Sequence, residues 1–108
     1  MSERMPKVNE LLRSNIARIV ERDLEFPDVL VTITGVDCAK DLGSAKVWVS
    51  VLPGNKTGST ITGLRGKSNF LRSKLAGSVR LRRIPELRFL VDDTEERAAV
   101  IEDIIADF

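Results

Sequence analysis

The sequence predicts a single α+β domain in which helices cover a three-stranded sheet. Apolar residues recur every three or four positions in some segments and every two positions in others. These segments follow one another in the order helix, strand, strand, helix, helix, strand and final helix. At 108 residues and 43% hydrophobic composition, the chain suits one core. We predict one domain spanning residues 1–108, with its core at about residues 7–106.

Helical periodicity appears in four segments. In the first, Leu12, Ile16 and Ile19 lie on one stripe, and Pro6 suits the start of a helix. The third predicted helix must end before Pro85, because the residue preceding a proline is held extended. The predicted helices are Lys7–Arg22, a short one at Ile61–Gly66, Phe70–Val79 and a final one from about Asp93.

Strand periodicity appears in three segments. The first alternates valine and isoleucine on one face with Thr32 and Thr34 on the other. The first two strands are close enough in sequence to form an antiparallel pair. The predicted strands are Val29–Val36, Ala45–Leu52 and Leu87–Val91.

Charge is strongly separated along the chain, although its net value is only +1. Residues 65–88 carry eight basic residues against one acid, and residues 92–108 carry seven acids against one basic residue. A basic segment of this density indicates a polyanion partner. The alternative is a solvated basic face that the acidic segment neutralises in the folded protein. The basic residues are Arg65, Lys67, Arg72, Lys74, Arg80, Arg82, Arg83 and Arg88.

Composition argues against most enzyme mechanisms. The chain has no histidine or tyrosine, so no histidine can activate a nucleophile or bind zinc. The single cysteine, Cys38, cannot form an intrachain disulfide and fits a reducing compartment. The first ten residues lack the apolar core of a signal peptide, and no apolar run approaches the ~20 residues of a membrane span. We expect a cytoplasmic protein without a cofactor, a metal or a small-molecule substrate.

The stretch GSTITGLRG is rich in glycine but lacks the lysine and hydroxyl pair of a phosphate-binding P-loop. It also contains a G-x-x-G pattern at Gly63 and Gly66. In KH domains such a loop joins two helices and approaches nucleic-acid phosphates. The pattern falls near the junction of the two middle helices, which favours the same interpretation here.

Two further features have alternative interpretations. Trp48, on the polar face of its strand, can either stack on a base or cover the outside of the sheet, which is more common. The acidic run DDTEER can supply carboxylates to a metal, but acids at the start of a helix ordinarily cap it. We expect the capping role.

Two long stretches, VTITGVDCAKDLGSAKVWVSVL and NFLRSKLAGSVRLRRIPELRFLVDDTEER, closely resemble the bacterial ribosome-binding factor A family. The resemblance runs from about Val8 to Ile104. It implies a type II KH-like fold with the element order given above. It also implies a non-catalytic factor that binds the free 30S subunit late in maturation of 16S rRNA, with a role in cold adaptation.

The resemblance also concerns the kink between the two middle helices. Members of the family carry Ala-x-Gly there, and alignment places Lys67, Ser68 and Asn69 at those positions. Asn69 would preserve the bend if it adopts positive φ, which asparagine tolerates better than most residues. The G-x-x-G at Gly63 and Gly66 is the alternative location.

We therefore expect a monomeric KH-like domain that binds rRNA through its basic segment. The alternatives are a generic RNA-binding or protein-interaction module outside the ribosome, and a magnesium enzyme using Asp92, Asp93 and Glu96. The acidic final helix would face away from RNA. The predicted RNA contacts are Arg65, Lys67, Ser68, Asn69, Arg72, Lys74, Arg80, Arg82 and Arg83, with Arg4, Lys7 and Arg13 as additional candidates.

Overall fold

The computed structural model describes residues 4–92, which form three α-helices, three strands and one turn of 3-10 helix. The predicted order of elements is confirmed as far as the third strand. The predicted final helix, from about Asp93, lies outside the described residues. The elements are α1 Arg4–Asp23, β1 Leu30–Cys38, β2 Ser44–Leu52, the 3-10 turn Gly54–Lys56, α2 Thr57–Gly66, α3 Ser68–Ser78 and β3 Glu86–Val91.

Helix α1 covers the predicted segment and extends beyond it at both ends. Leu12, Ile16 and Ile19 form its buried stripe and are almost completely inaccessible. Asn15 is buried beside this stripe, and its side-chain amide donates to the carbonyl of Leu11 at 2.8 Å. The polar group is therefore satisfied within the helix itself.

The sheet has the order β1-β2-β3, with β2 in the centre. Strands β1 and β2 are antiparallel, as predicted, and place Leu30 opposite Leu52. Strands β2 and β3 are parallel, with Ser44 opposite Glu86. A parallel pair needs a long crossover connection, and α2 and α3 provide it. The two middle helices thus form the crossover that joins β2 to β3.

A β-bulge interrupts the first strand. The pairing with β2 shifts between Ile33 and Gly35, which leaves Thr34 as the extra residue. The strict alternation predicted for this strand therefore fails after Thr34. The bulge lets the second half of the strand bury its apolar side chains, because Val36 and Cys38 then face the core on the same side as Ile33. The strand consequently continues two residues beyond its predicted end.

The core lies between one face of the sheet and the three helices. Val47 and Val49 of the central strand, together with Leu71 and Leu75 of α3, have no exposed surface. Phe89 of β3 is the largest of the fully buried side chains. The opposite face of the sheet carries polar and partly exposed side chains. All three helices therefore pack on one side, as the predicted architecture requires.

The kink between the middle helices is at Lys67, the single residue that separates α2 from α3. Its backbone has φ −102° and ψ 12°. The suggestion that Asn69 supplies a positive φ is wrong, because Asn69 lies inside α3 and only Asp28 and Leu42 among the described non-glycine residues have positive φ. The bend needs no left-handed residue, since Lys67 departs from helical geometry at negative φ.

The G-x-x-G pattern is not a loop, because both glycines lie within α2. Gly63 has a packing role instead. A Cβ at this position would lie 3.2 Å from Cε1 of Phe26, so the missing side chain lets the ring approach the helix. Nothing lies within 4 Å of a Cβ built on Gly66. The alternative location of the kink at these glycines is therefore wrong.

Candidate nucleic-acid interface

The predicted RNA contacts lie in one continuous part of the chain that runs through four structural settings. Arg65 lies in the last turn of α2, and Lys67 forms the kink. The remaining residues are on α3 or in the connection to β3. Those on α3 are Ser68, Asn69, Arg72 and Lys74, and those in the connection are Arg80, Arg82 and Arg83.

Two of these arginines donate to backbone carbonyls at or near β3. Arg65 donates from a terminal nitrogen to the carbonyl of Phe89 at 3.2 Å. Arg72 donates from a terminal nitrogen to the carbonyl of Ile84 at 3.0 Å, and its Nε is buried without a partner among residues 4–92. Arg72 is half-buried. Both side chains hold the crossover helices against the third strand, and Arg72 is the less available of the two to a ligand.

The basic residues of α3 do not share one flank. Two residues of helix correspond to a rotation of about 200°, so Arg72 and Lys74 lie about 160° apart around the helix axis. The direction towards the core lies between them, because Leu71 and Leu75 are buried. Lys74 instead shares a flank with Phe70, and its Nζ lies 5.6 Å from the centroid of that ring.

The three arginines of the connection are exposed. The ion pairs among residues 4–92 are Arg13 with Glu10 and Arg22 with Asp23, and both lie outside the basic segment. Within the described range, the positive charges of Arg80, Arg82 and Arg83 are thus not neutralised by ion pairing. Exposed guanidinium groups are suited to phosphate, because each presents several N–H donors in one plane.

The additional candidates on α1 differ from one another. Lys7 is exposed. Arg13 is held by Glu10, and this hydrogen bond raises the pKa of Arg13 and lowers that of Glu10. The side chain of Arg4 lies outside the described part of the structure. Lys7 is therefore the more available of the two described side chains, because Arg13 would have to exchange a carboxylate for a phosphate.

The start of α3 adds to the positive potential. Its N-cap residue is Lys67, which has no side-chain acceptor for the backbone N–H groups, and its first turn contains no acid. The partial positive charge at a helix N-terminus is therefore reinforced by a lysine instead of being compensated. Ser68 and Asn69 occupy the first two positions of the helix. This arrangement favours an anion near the kink.

Sequence reasoning did not select Phe70 as a functional residue, because its position fits a helix start. It is 38% exposed, comparable to Trp48 at 37%. Trp48 lies on the open face of the sheet, between Gly35 of β1 and Leu90 of β3. A useful signal for Phe70 was available in the sequence, since lysines stand three residues before it and four residues after it.

The described residues supply no alternative chemical centre. No group of three acidic or sulfur ligands between residues 4 and 92 is arranged to hold a metal ion. Asp92, suggested as a magnesium ligand or helix cap, accepts a hydrogen bond from Thr34; Asp93 and Glu96 lie outside the described residues. Burial, followed by the nearby Asp37 and Asp41 carboxylates, raises the pKa of Cys38 and keeps its thiol protonated.

None of the helices between residues 4 and 92 combines the length and the apolar composition needed to cross a bilayer.

The element order, the helix-covered sheet and the kinked helix pair define a small α+β domain of the type II KH-like order. The family model for ribosome-binding factor A matches residues 4–105. This chain belongs to the ribosome-binding factor A family.

Curated relatives and solved structures agree with this assignment. The chain is 36% identical over 107 residues to ribosome-binding factor A of Akkermansia muciniphila, covering 99% of this chain and 86% of that protein. The crystal structure of ribosome-binding factor A from Thermus thermophilus aligns with a TM-score of 0.72 and 27% identity, covering 81% of this chain and 93% of that one.

A second structural neighbour is a homology model of the Thermus thermophilus protein, fitted into a cryo-EM map of a 30S–RbfA complex. It aligns with a TM-score of 0.67 and 28% identity, covering 77% of this chain and 89% of that one.

Proposed function

We propose that this protein binds the free 30S ribosomal subunit through 16S rRNA and assists late maturation of that rRNA without catalysing a reaction. The observation that carries the proposal is the group of exposed arginines between α3 and β3, Arg80, Arg82 and Arg83, which form no ion pair within residues 4–92. The Thermus thermophilus relative fitted into a map of a 30S–RbfA complex supports the choice of partner.

The proposed contacts differ in what they do. The three loop arginines and the lysines of the kink and α3, Lys67 and Lys74, bind phosphates. Ser68 and Asn69 approach the backbone of the RNA at the start of α3. Arg65 and Arg72 contribute charge while they hold the helices to β3. Phosphate contacts position a protein without reading sequence, so the fit of the kinked helices to one rRNA shape supplies selectivity.

Co-sedimentation tests this proposal directly. The purified protein is mixed with free 30S subunits, free 50S subunits or joined ribosomes, and the bound fraction is measured. We expect selective binding to 30S subunits, which an Arg80/Arg82/Arg83→Ala variant loses. The matched control is Arg18/Lys40/Lys46→Ala, which removes three exposed positive charges outside the basic segment. Equal binding to all particles would overturn the assignment and leave a generic RNA-binding domain.

The maturation role and the cold-adaptation role require an experiment in cells. Removal of the protein should cause precursor 16S rRNA and free 30S subunits to accumulate, more strongly at low temperature. The wild-type protein should reverse both effects, and the triple-arginine variant should not. Normal rRNA processing after removal would contradict this part of the proposal. We further propose a cytoplasmic monomer that uses no cofactor, metal or small-molecule substrate.

A further inference from the structure

The first turn of α3 presents an aromatic ring to solvent. Phe70 is 38% exposed, whereas Leu71 and Leu75 of the same helix are fully buried. The helix therefore obtains its core contacts from the leucines, and the phenylalanine lies to one side of them. A single exposed apolar residue is common on protein surfaces, so the surroundings of the ring decide its meaning.

One lysine contacts this ring, and a second precedes it at the kink. Phe70 and Lys74 are four residues apart and share one flank of α3, and Lys67 is the N-cap residue of the same helix. The Nζ of Lys74 lies 5.6 Å from the ring centroid, within the range of a cation–π contact. Neither lysine forms an ion pair with any residue between positions 4 and 92. An exposed aromatic ring beside cationic side chains that form no ion pair is an arrangement found in proteins that bind single-stranded nucleic acid.

From this arrangement we infer that Phe70 is a stacking platform for an unpaired base of the small-subunit rRNA, with Lys67 and Lys74 binding phosphates on either side of it. The inference rests on the proposed function and adds to it a class of substrate, namely a nucleotide outside the RNA helices. Stacking tolerates any base, because every base has a π-face. Phe70 therefore selects for RNA conformation and not for sequence.

Trp48 is the competing aromatic residue, and its surroundings are less suitable. The adjacent residue on the same face, Lys46, lies directly opposite Asp37 of β1 on one side and Arg88 of β3 on the other. Repulsion from this carboxylate opposes the attraction that the two cations exert on the phosphates accompanying a stacked base. Trp48 therefore provides the matched control, an aromatic ring of almost equal exposure outside the proposed site.

The first experiment measures the affinity of 30S subunits for Phe70→Leu, Phe70→Trp and Trp48→Leu. Loss of the π-face in Phe70→Leu should weaken binding about five- to a hundredfold, and Phe70→Trp should retain wild-type affinity within about twofold. Trp48→Leu should have no effect. Thermal denaturation checks that each variant is folded, which we expect because both positions are exposed. Full affinity of Phe70→Leu would overturn the inference.

The second experiment detects stacking directly. In a Trp48→Phe background, Phe70→Trp makes the indole at position 70 the only tryptophan in the chain. Its fluorescence should be quenched when free 30S subunits are added, and Lys67/Lys74→Ala should reduce the affinity for 30S subunits. Binding without quenching would overturn the stacking inference while leaving the proposed function intact. Failure of the wild-type protein to bind 30S subunits would instead overturn the proposed function.

Discussion

Thr34 Oγ1 donates a hydrogen bond to the Asp92 carboxylate across 2.7 Å, joining residues 58 positions apart in the sequence. The hydroxyl belongs to the bulged residue of β1. The backbone N–H of Asp92 donates to the carbonyl of Val49 in β2, also at 2.7 Å. Asp92 thus links the end of β3 to both other strands, and the bulge supplies one of the two contacts.

Replacing Thr34 tests this link. Thr34→Val removes the hydroxyl while keeping the branched shape, so the free energy of unfolding should fall by about 1 kcal/mol. Thr32→Val is the matched control, because Thr32 is an exposed threonine of the same strand with no side-chain hydrogen bond in the described structure. Urea denaturation of both variants measures the difference. Equal stability of the two would show that the hydrogen bond contributes nothing.

The two glycines of α2 should respond differently to alanine. Gly66→Ala should stabilise the protein by about 0.5–1 kcal/mol, because alanine favours helix and open space surrounds the site. Gly63→Ala should lose that gain, since its Cβ would lie 3.2 Å from the ring of Phe26. Combining Gly63→Ala with Phe26→Leu should recover part of it. Thermal denaturation provides the comparison, and identical effects at both glycines would refute the packing role of Gly63.

Apolar periodicity predicted the elements because each helix and strand buries a stripe that the sequence itself displays. It could not predict the bulge at Thr34 or the parallel pairing of β3, because those features depend on contacts between residues far apart in the chain, such as Thr34 with Asp92. The break between the two middle helices was predicted: the expected helices Ile61–Gly66 and Phe70–Val79 leave residues 67–69 between them, and the structure bends at Lys67. Charge alone also grouped Arg72 with Lys74, although the rotation per residue of a helix places them on opposite flanks.

The arginines of the basic segment should separate into two kinds. Arg72→Ala should reduce the free energy of unfolding by about 1–2 kcal/mol, because it removes the contact with the Ile84 carbonyl and the packing of a half-buried stem. Arg80→Ala should change it by less than about 0.5 kcal/mol. Chemical denaturation distinguishes the two variants. A stable Arg72→Ala protein would mean that the contact with Ile84 is dispensable.

Binding to 30S subunits should depend steeply on salt. If about five to eight phosphates are neutralised, the logarithm of the affinity should fall with the logarithm of salt concentration with a slope of about −4 to −7. The Arg80/Arg82/Arg83→Ala variant should lower the magnitude of this slope by about 2–3. Titrations at several potassium chloride concentrations measure both slopes. A flat response in the wild-type protein would rule out the electrostatic mechanism.

The thiol of Cys38 should resist modification in the folded protein. Its pKa is raised above the ordinary 9.0, chiefly by burial, so less thiolate is present at a given pH than in the unfolded chain. Iodoacetamide should label it slowly at pH 8 and rapidly in urea. The thiol releases its proton more readily in the unfolded chain than in the folded protein. The free energy of unfolding should therefore fall as the pH rises above the pKa of the unfolded thiol. The Cys38→Ala variant should lack this part of the alkaline loss.

The hydrogen bond from Arg65 to the carbonyl of Phe89 also has a consequence for self-association. β3 is an edge strand, and the backbone groups along such an edge can recruit a strand from a second molecule. The carbonyl of Phe89 already accepts from Arg65, and the cationic side chain is itself exposed beside that edge. A second molecule would have to displace a charged side chain before its strand could pair there. The same guanidinium that adds to the basic surface thus protects the sheet against aggregation.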